Sequence, residues 1–181
     1  MEIVNYKLID FLNKDIKLIE EYSRALMYLK PAETSKEVFE MKLKHVDAIK
    51  RTINSGNYRE LIYVVSKVEG LKEKKVLDLD IIRFHSLINS IRGQIKFINK
   101  AEENGLSSSS LDVKWLAVNG SERMAKFEIY NTLDRLTGKK PHLYDYYRNM
   151  RYSEVFTILL KWKEEEDIQK EMNAIKTKKN G

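Results

Sequence analysis

The sequence predicts an all-α fold, an elongated helical bundle followed by a smaller helical C-terminal region. Three observations carry this prediction. The 181 residues include only 7 Gly and 2 Pro, too little turn chemistry for a sandwich or barrel, which needs many short strands set apart by turn residues. Apolar residues recur at steps of three and four along most of the chain. From Ile81 to Ile98 this becomes a strict seven-residue repeat.

The first helix is expected over residues 5–29, with Ile9, Leu12, Ile16, Ile19 and Leu26 on one face and Pro31 ending it. The second begins at Thr34, where Thr34-Ser35-Lys36-Glu37 has the form of a capping box. Its stripe is Phe39, Leu43, Val46 and Ile53, and Asn54-Ser55-Gly56 stops it. A third covers Asn57 to Glu69, buries Leu61, Ile62, Val65 and Val68, and ends at Gly70. The run Leu61-Ile62-Tyr63-Val64-Val65 also reads as a strand, but no partner strand is evident.

The fourth helix, residues 80–104 with Asp78 or Asp80 as its cap, carries the repeat Ile81, Phe84, Ile88, Ile91, Ile95 and Ile98. Isoleucine at both seam positions suits higher-order coiled coils in isolated peptides. The matching stripes of the first two helices favour packing within the chain instead.

Asn104-Gly105-Leu106 and Ser107 to Ser110 form the one low-complexity stretch, small and uncharged. The expected organisation is therefore a bundle over 1–104, a Ser-rich linker over 105–111 and a helical region over 112–181. In that region Leu111 to Val118 is either a short helix or an extended segment around Trp115. Ser121 is expected to cap a helix that reaches Thr137, with Met124, Phe127, Tyr130, Leu133 and Leu136 facing inward and Gly138 as its stop. Pro141 opens a short helix to Met150. Ser153 caps a last helix whose start holds Val155, Phe156, Leu159, Leu160 and Trp162. Its continuation, Lys163-Glu164-Glu165-Glu166-Asp167, reads as a solvated face, and Lys176 to Gly181 as a fraying basic tail.

Several function classes are disfavoured by composition. With 43% hydrophobic and 33% charged residues the chain can bury a core. No cysteine is present, which removes disulfides, thiolate zinc sites and cysteine nucleophiles. The net charge of +6 divides evenly between residues 1–110 and 111–181, and Lys outnumbers Arg by 24 to 9. A Lys-coated surface reads better than a sequence-specific nucleic-acid reader, which favours Arg forks. The acids among the first fifteen residues and the lack of an apolar run there argue against a signal peptide, and no run is long enough to span a membrane.

Catalytic signatures are scarce. His45, His85 and His142 each stand alone in sequence, so no metal site is expected. Consecutive Glu164 to Asp167 radiate around a helix and do not converge on one ion. No glycine-rich phosphate loop or nucleophile elbow occurs. We therefore expect no enzyme activity and no cofactor.

One segment carries binding chemistry. Between residues 139 and 152, Lys139, Lys140, Arg148 and Arg151 interleave with Tyr144, Tyr146, Tyr147 and Tyr152, with Asp145 as the one acid. These eight residues are the candidate protein interface, since Tyr and Arg are favoured at interface centres. Two other uses stay open. The tyrosines can cover the core with wet hydroxyls, or stack bases of a single strand.

Residues 117–127 (Ala-Val-Asn-Gly-Ser-Glu-Arg-Met-Ala-Lys-Phe), then Leu133-Asp134-Arg135-Leu136-Thr137-Gly138, then Met150-Arg151-Tyr152-Ser153-Glu154-Val155-Phe156 resemble the C-terminal pattern of ring or head-to-tail connector proteins of short-tailed, crAss-like bacteriophages. The resemblance covers about residues 115–165. It implies a structural subunit of the virion, made in the host cytoplasm, that assembles with copies of itself into a ring near the portal and meets portal and tail components. A nucleic-acid-associated phage regulator and a tail-assembly chaperone are the alternatives.

Overall fold

The computed structural model describes residues 4–107 and 113–179, the side chains of 174 and 176–179 excepted. The fold is all-α. Its helices are α1 (Leu8–Leu12), α2 (Ile16–Leu26), α3 (Leu43–Thr52), α4 (Tyr58–Glu69), α5 (Glu73–Val76), α6 (Ile81–Leu106), α7 (Val113–Ala117), α8 (Gly120–Ala125), α9 (Ile129–Thr137), α10 (Tyr144–Asn149) and α11 (Tyr152–Lys179). Single 3-10 turns occupy Val38–Glu40 and Pro141–Leu143. Among the described residues there is no β-strand, only two isolated antiparallel bridges, Lys7 with Asp80 and Lys42 with Arg151.

The chain forms two compact units that divide inside α6. One takes the residues up to Met41 and His45–Ile98, the other Lys42–Lys44 and the residues from Asn99 onward. The expected boundary lay at residue 104, whereas α6 runs on to Leu106. Residues 108–111 of the expected linker lie outside the described residues.

In the first unit the seven-residue stripe of α6 does what its spacing predicts. Ile81, Phe84, Ile88, Ile91, Ile95 and Ile98 are all buried, so the seam is intramolecular. Each such side chain contributes roughly 1.5–3 kcal/mol by leaving water. Asp80 caps the helix by accepting from the N–H of Arg83 at 2.7 Å. Polar side chains of α6 then fasten the neighbouring segments. The Asn89 amide donates to the carbonyls of Leu26, Met27 and Leu29 at 3.0–3.2 Å, satisfying the open end of α2. Gln94 accepts from the N–H of Val38 at 2.7 Å and donates to Thr34 Oγ1 at 2.9 Å.

That last bond explains one departure from expectation. Thr34 is held by Gln94 and does not cap a helix; residues 34–37 are non-helical, and α3 begins only at Leu43. A second departure is the break at residues 13–15 of the expected first helix. Asp15 accepts from the N–H of Lys17 at 2.8 Å and starts α2 afresh. The new phase buries Leu8, Phe11, Tyr22 and Leu26 and leaves Ile9 and Ile16 exposed, the latter at 74%. Local capping chemistry overrode a pattern that two separate helices had mimicked. The third expected helix, α4, forms as read. Asn57 caps it, its apolar residues are buried, and Gly70 closes it at φ +69°. A strand reading of Leu61 to Val65 is thereby removed.

In the second unit Gly105 lets α6 and α11 approach closely, because a Cβ there would lie 2.5 Å from Leu160 Cδ2. The helix expected over 121–137 is interrupted between α8 and α9, where Glu128 adopts φ +46°. Ser121 does not cap it; its hydroxyl accepts from the Trp115 indole N–H at 3.1 Å. Leu133 and Leu136 are buried, but Met124, Phe127 and Tyr130 are exposed, contrary to the inward-facing expectation. Gly138 ends α9 in the left-handed region at φ +60°.

The last helix begins at Tyr152, one residue before the expected cap. It buries Tyr152, Val155 and Leu159, while Phe156, Leu160 and Trp162 are half-buried. Glu164, Glu165 and Glu166 are solvated as expected. Lys163 is not: it is buried and pairs with Asp167 one turn on, which holds that carboxyl below the usual range. The helix reaches Lys179; residues 180 and 181 of the expected fraying tail lie outside the described residues.

Candidate protein interface

The basic tyrosine segment is built on the turn after α9. Gly138 and Lys139 take left-handed backbone, φ +60° and +62°. The 3-10 turn at Pro141 then leads into α10. Beyond α10 the chain extends, and Arg151 forms a bridge with Lys42, closed by the N–H of Leu43 on the carbonyl of Met150 at 2.9 Å. This brings Lys42 beside Arg151, and the Lys42 ammonium lies 3.5 Å from Asn149 Oδ1.

The eight candidate residues part company here. Lys139, Lys140 and Arg151 are exposed, and so is Tyr146, at 66%. Tyr146 and Tyr147 meet edge to face with ring centroids 5.2 Å apart, and Tyr147 is half-buried. Tyr144 is half-buried and donates to the Asp134 carboxylate, which, together with some desolvation, raises its hydroxyl above the ordinary value. Its ring lies 5.9 Å from that of Tyr130. Tyr152 is 4% exposed. It donates to Glu102 and stacks on Phe156, and burial followed by that carboxylate pushes its hydroxyl up. Arg148 is half-buried, and its Nε has no hydrogen-bond partner among the described residues. Lys139, Lys140, Tyr146 and Arg151 are thus presented to solvent, while Tyr144 and Tyr152 serve the packing of the unit.

Larger exposed apolar surfaces lie elsewhere, and composition did not reveal them. Val113, Trp115, Leu116, Val118, Met124, Phe127 and Tyr130, all on α7 to α9 or the turns between them, are exposed, Val113 at 76%. The Trp115 ring lies directly over Gly120, where a Cβ would come within 2.3 Å of it. Near the end of α11, Ile168, Met172 and Ile175 are exposed at steps of four and three. In the first unit a groove of about 570 Å³ is lined by Glu33, Glu37, Gly93 and an exposed Phe97 among others.

The histidines do not converge. His142 is exposed, His45 half-buried and His85 buried. Among the described residues no group of three His, Asp or Glu is placed to hold a metal ion. Nor is any described helix long and apolar enough to cross a membrane. Comparison with family models, with curated proteins and with solved structures returns no match.

Proposed function

We propose that this protein is a non-enzymatic structural subunit of a phage virion, a ring or connector protein between portal and tail that assembles with copies of itself. The observation that carries the reading is the exposure of large apolar side chains across α7 to α9. Isolated apolar residues on a surface need no explanation, but a concentration of them marks a contact with another molecule. The resemblance of residues 117–127, 133–138 and 150–156 to connector proteins supports the same reading. The test is the copy number of this polypeptide in purified particles. Several copies per particle, in a fixed ratio to the portal, are expected; absence from particles sinks the proposal and favours an assembly chaperone.

A nucleic-acid-associated role is the second reading. It draws on Lys42, which the backbone bridge adds to the exposed Lys139, Lys140 and Arg151. Its mark would be affinity for DNA that falls steeply with salt.

A further inference from the structure

We propose that the apolar face of α7 to α9 is covered by the end of α11 of a second copy of this chain, in a head-to-tail contact. The second unit carries two different apolar faces, each exposed. One is the set of exposed apolar side chains on α7 to α9 and the turns between them, Trp115, Leu116 and Phe127 among them; the other is the stripe Ile168, Met172 and Ile175 on α11. The steps of four and three place those three side chains on one side of the helix. The buried residues Tyr152, Val155 and Leu159 project onto the opposite side of the same helix. The stripe therefore points away from the side of α11 that is packed in its own unit. It has the pattern of a helix that lies in an apolar groove.

Charge decides the occupant. Glu164 and Glu171, both exposed, border the stripe on one side; Glu165, on the other, pairs with Lys161 at 3.6 Å. Residues 164–175 carry a net charge of −4 in a chain of net charge +6. The face on α7 to α9 is bordered by Arg123 and Lys126, and the Lys126 ammonium lies 5.2 Å from the centre of the Phe127 ring. Residues 113–127 carry a net charge of +2. An acid-edged stripe and a base-edged apolar face on one polypeptide complement each other and not themselves. A two-fold axis passing through either face would set that face against itself, like against like. A head-to-tail contact sets each against its complement and leaves one face of each kind open at the ends, so it propagates until it closes.

The inference deepens the ring-subunit reading and rests on it for closure alone. The absence of cysteine permits a direct test. Phe127→Cys and Met172→Cys are made as separate variants, one carrying a size tag, mixed, and oxidised with oxidised glutathione. Each thiol first forms a mixed disulfide with glutathione, releasing one glutathione thiol, and the thiol of a second copy displaces the other, so every protein–protein disulfide is between copies. The mixed dimer is expected to form roughly tenfold faster than either homodimer, because docking raises the effective concentration of one thiol at the other. It should also outpace a control pair of Tyr28→Cys with Met172→Cys; Tyr28 is exposed and lies in the first unit. Glu164→Lys with Glu171→Lys on the Met172→Cys chain should slow the reaction, and Arg123→Glu with Lys126→Glu on the other chain should restore it. All of these side chains are exposed, and an unchanged thermal midpoint confirms that each variant folds.

Equal rates for mixed dimer and homodimers overturn the proposal. So does sedimentation of the wild type with phosphatidylserine vesicles that is lost in Trp115→Ser without any preferred mixed dimer, which would assign the face to lipid. Failure of the cross-link in a protein present in many copies per particle removes this contact and keeps the ring reading. A preferred mixed dimer in a protein absent from particles does the reverse.

Discussion

The Oη of Tyr58 and the Nε2 of His85 lie 2.9 Å apart in the core of the first unit. The direction of that bond follows from its neighbour. Ser23 has one hydroxyl proton and gives it to the carbonyl of Ile19 at 2.6 Å, so at 2.8 Å it accepts from Tyr58. Tyr58 therefore accepts from His85, which is the tautomer protonated at Nε2. Its Nδ1 is buried and has no partner among the described residues. Protonation there would bury a charge and an unpaired donor together.

Acid destabilisation is the first prediction. Burial, then the nearby Arg92 charge, lowers the His85 pKa from 6.5 to about 4. The folded value lies below the unfolded one, so between them the unfolded chain binds more protons. The stabilisation is complete above about pH 6.5 and is lost as pH falls towards 4. A shift of that size corresponds to about 3 kcal/mol. Urea midpoints measured from pH 7 to pH 4 should fall accordingly, and His85→Gln should flatten that part of the profile.

The seam of α6 gives the second prediction. Ile88 has no exposed surface, so Ile88→Asp places an unpaired charge in the core and should destabilise by at least about 4 kcal/mol. Phe97→Asp lies on the same helix but at a residue 65% exposed; it should shift stability by less than about 0.5 kcal/mol. Chemical denaturation of both variants compares the two faces directly. Equal effects would show that the stripe does not carry the unit.

Third, Gly120→Ala should displace the Trp115 ring. Three ring atoms lie within 2.8 Å of the position of the new Cβ, and an aromatic ring has no flexible end to yield. The Trp115 bond to Ser121 should be lost with it. In a Trp162→Phe background, the emission of the remaining indole should change on substitution while the helical circular dichroism of the chain is kept.

Charge reversal at the basic segment separates the two readings of function. Lys139→Glu, Lys140→Glu and Arg151→Glu together change exposed residues only. Arg148 is better left alone, because its Nε is buried. For a protein interface, the triple variant should fold normally and fail to enter particles, with little DNA affinity to lose. Tight DNA binding by the wild type near physiological salt, abolished in the variant with assembly intact, would promote the nucleic-acid role.

What the sequence disclosed followed the strength of its local signals. The repeat from Ile81 to Ile98 spans nearly three heptads, and its buried face came through unchanged, with Asp80 as the cap of the two aspartates expected. So did the stops at Gly70 and Gly138, where the left-handed region favours glycine. The first two helices did not. Asn13 to Asp15 and Thr34 to Glu37 each admit a helical and a capping or turn reading, and Gln94, 60 residues from Thr34 in the chain, decided one of them. Periodicity also gives no sign of whether a stripe has a partner. The same spacing that buries Leu133 and Leu136 leaves Met124 and Phe127 in water, because Glu128 turns the backbone between the two pairs, and it leaves Tyr130 half exposed in the first turn of α9. Of the tyrosine segment, composition gave the chemistry but not the division between Tyr146, which faces solvent, and Tyr152, which is tied to Glu102.

The bridge between Lys42 and Arg151 bears on how the chain is born. Lys42 and Asn149 are separated by 107 residues, so the segment Lys42–Lys44 emerges from the ribosome long before the strand-like stretch it pairs with. Closing so long a loop is entropically expensive and slow, whereas helices form from near neighbours. The first unit encloses that segment in sequence and has all its own residues by Ile98. It can therefore acquire its core while three residues in its midst still wait for a mate. The second unit is completed last, after α10 has been synthesised.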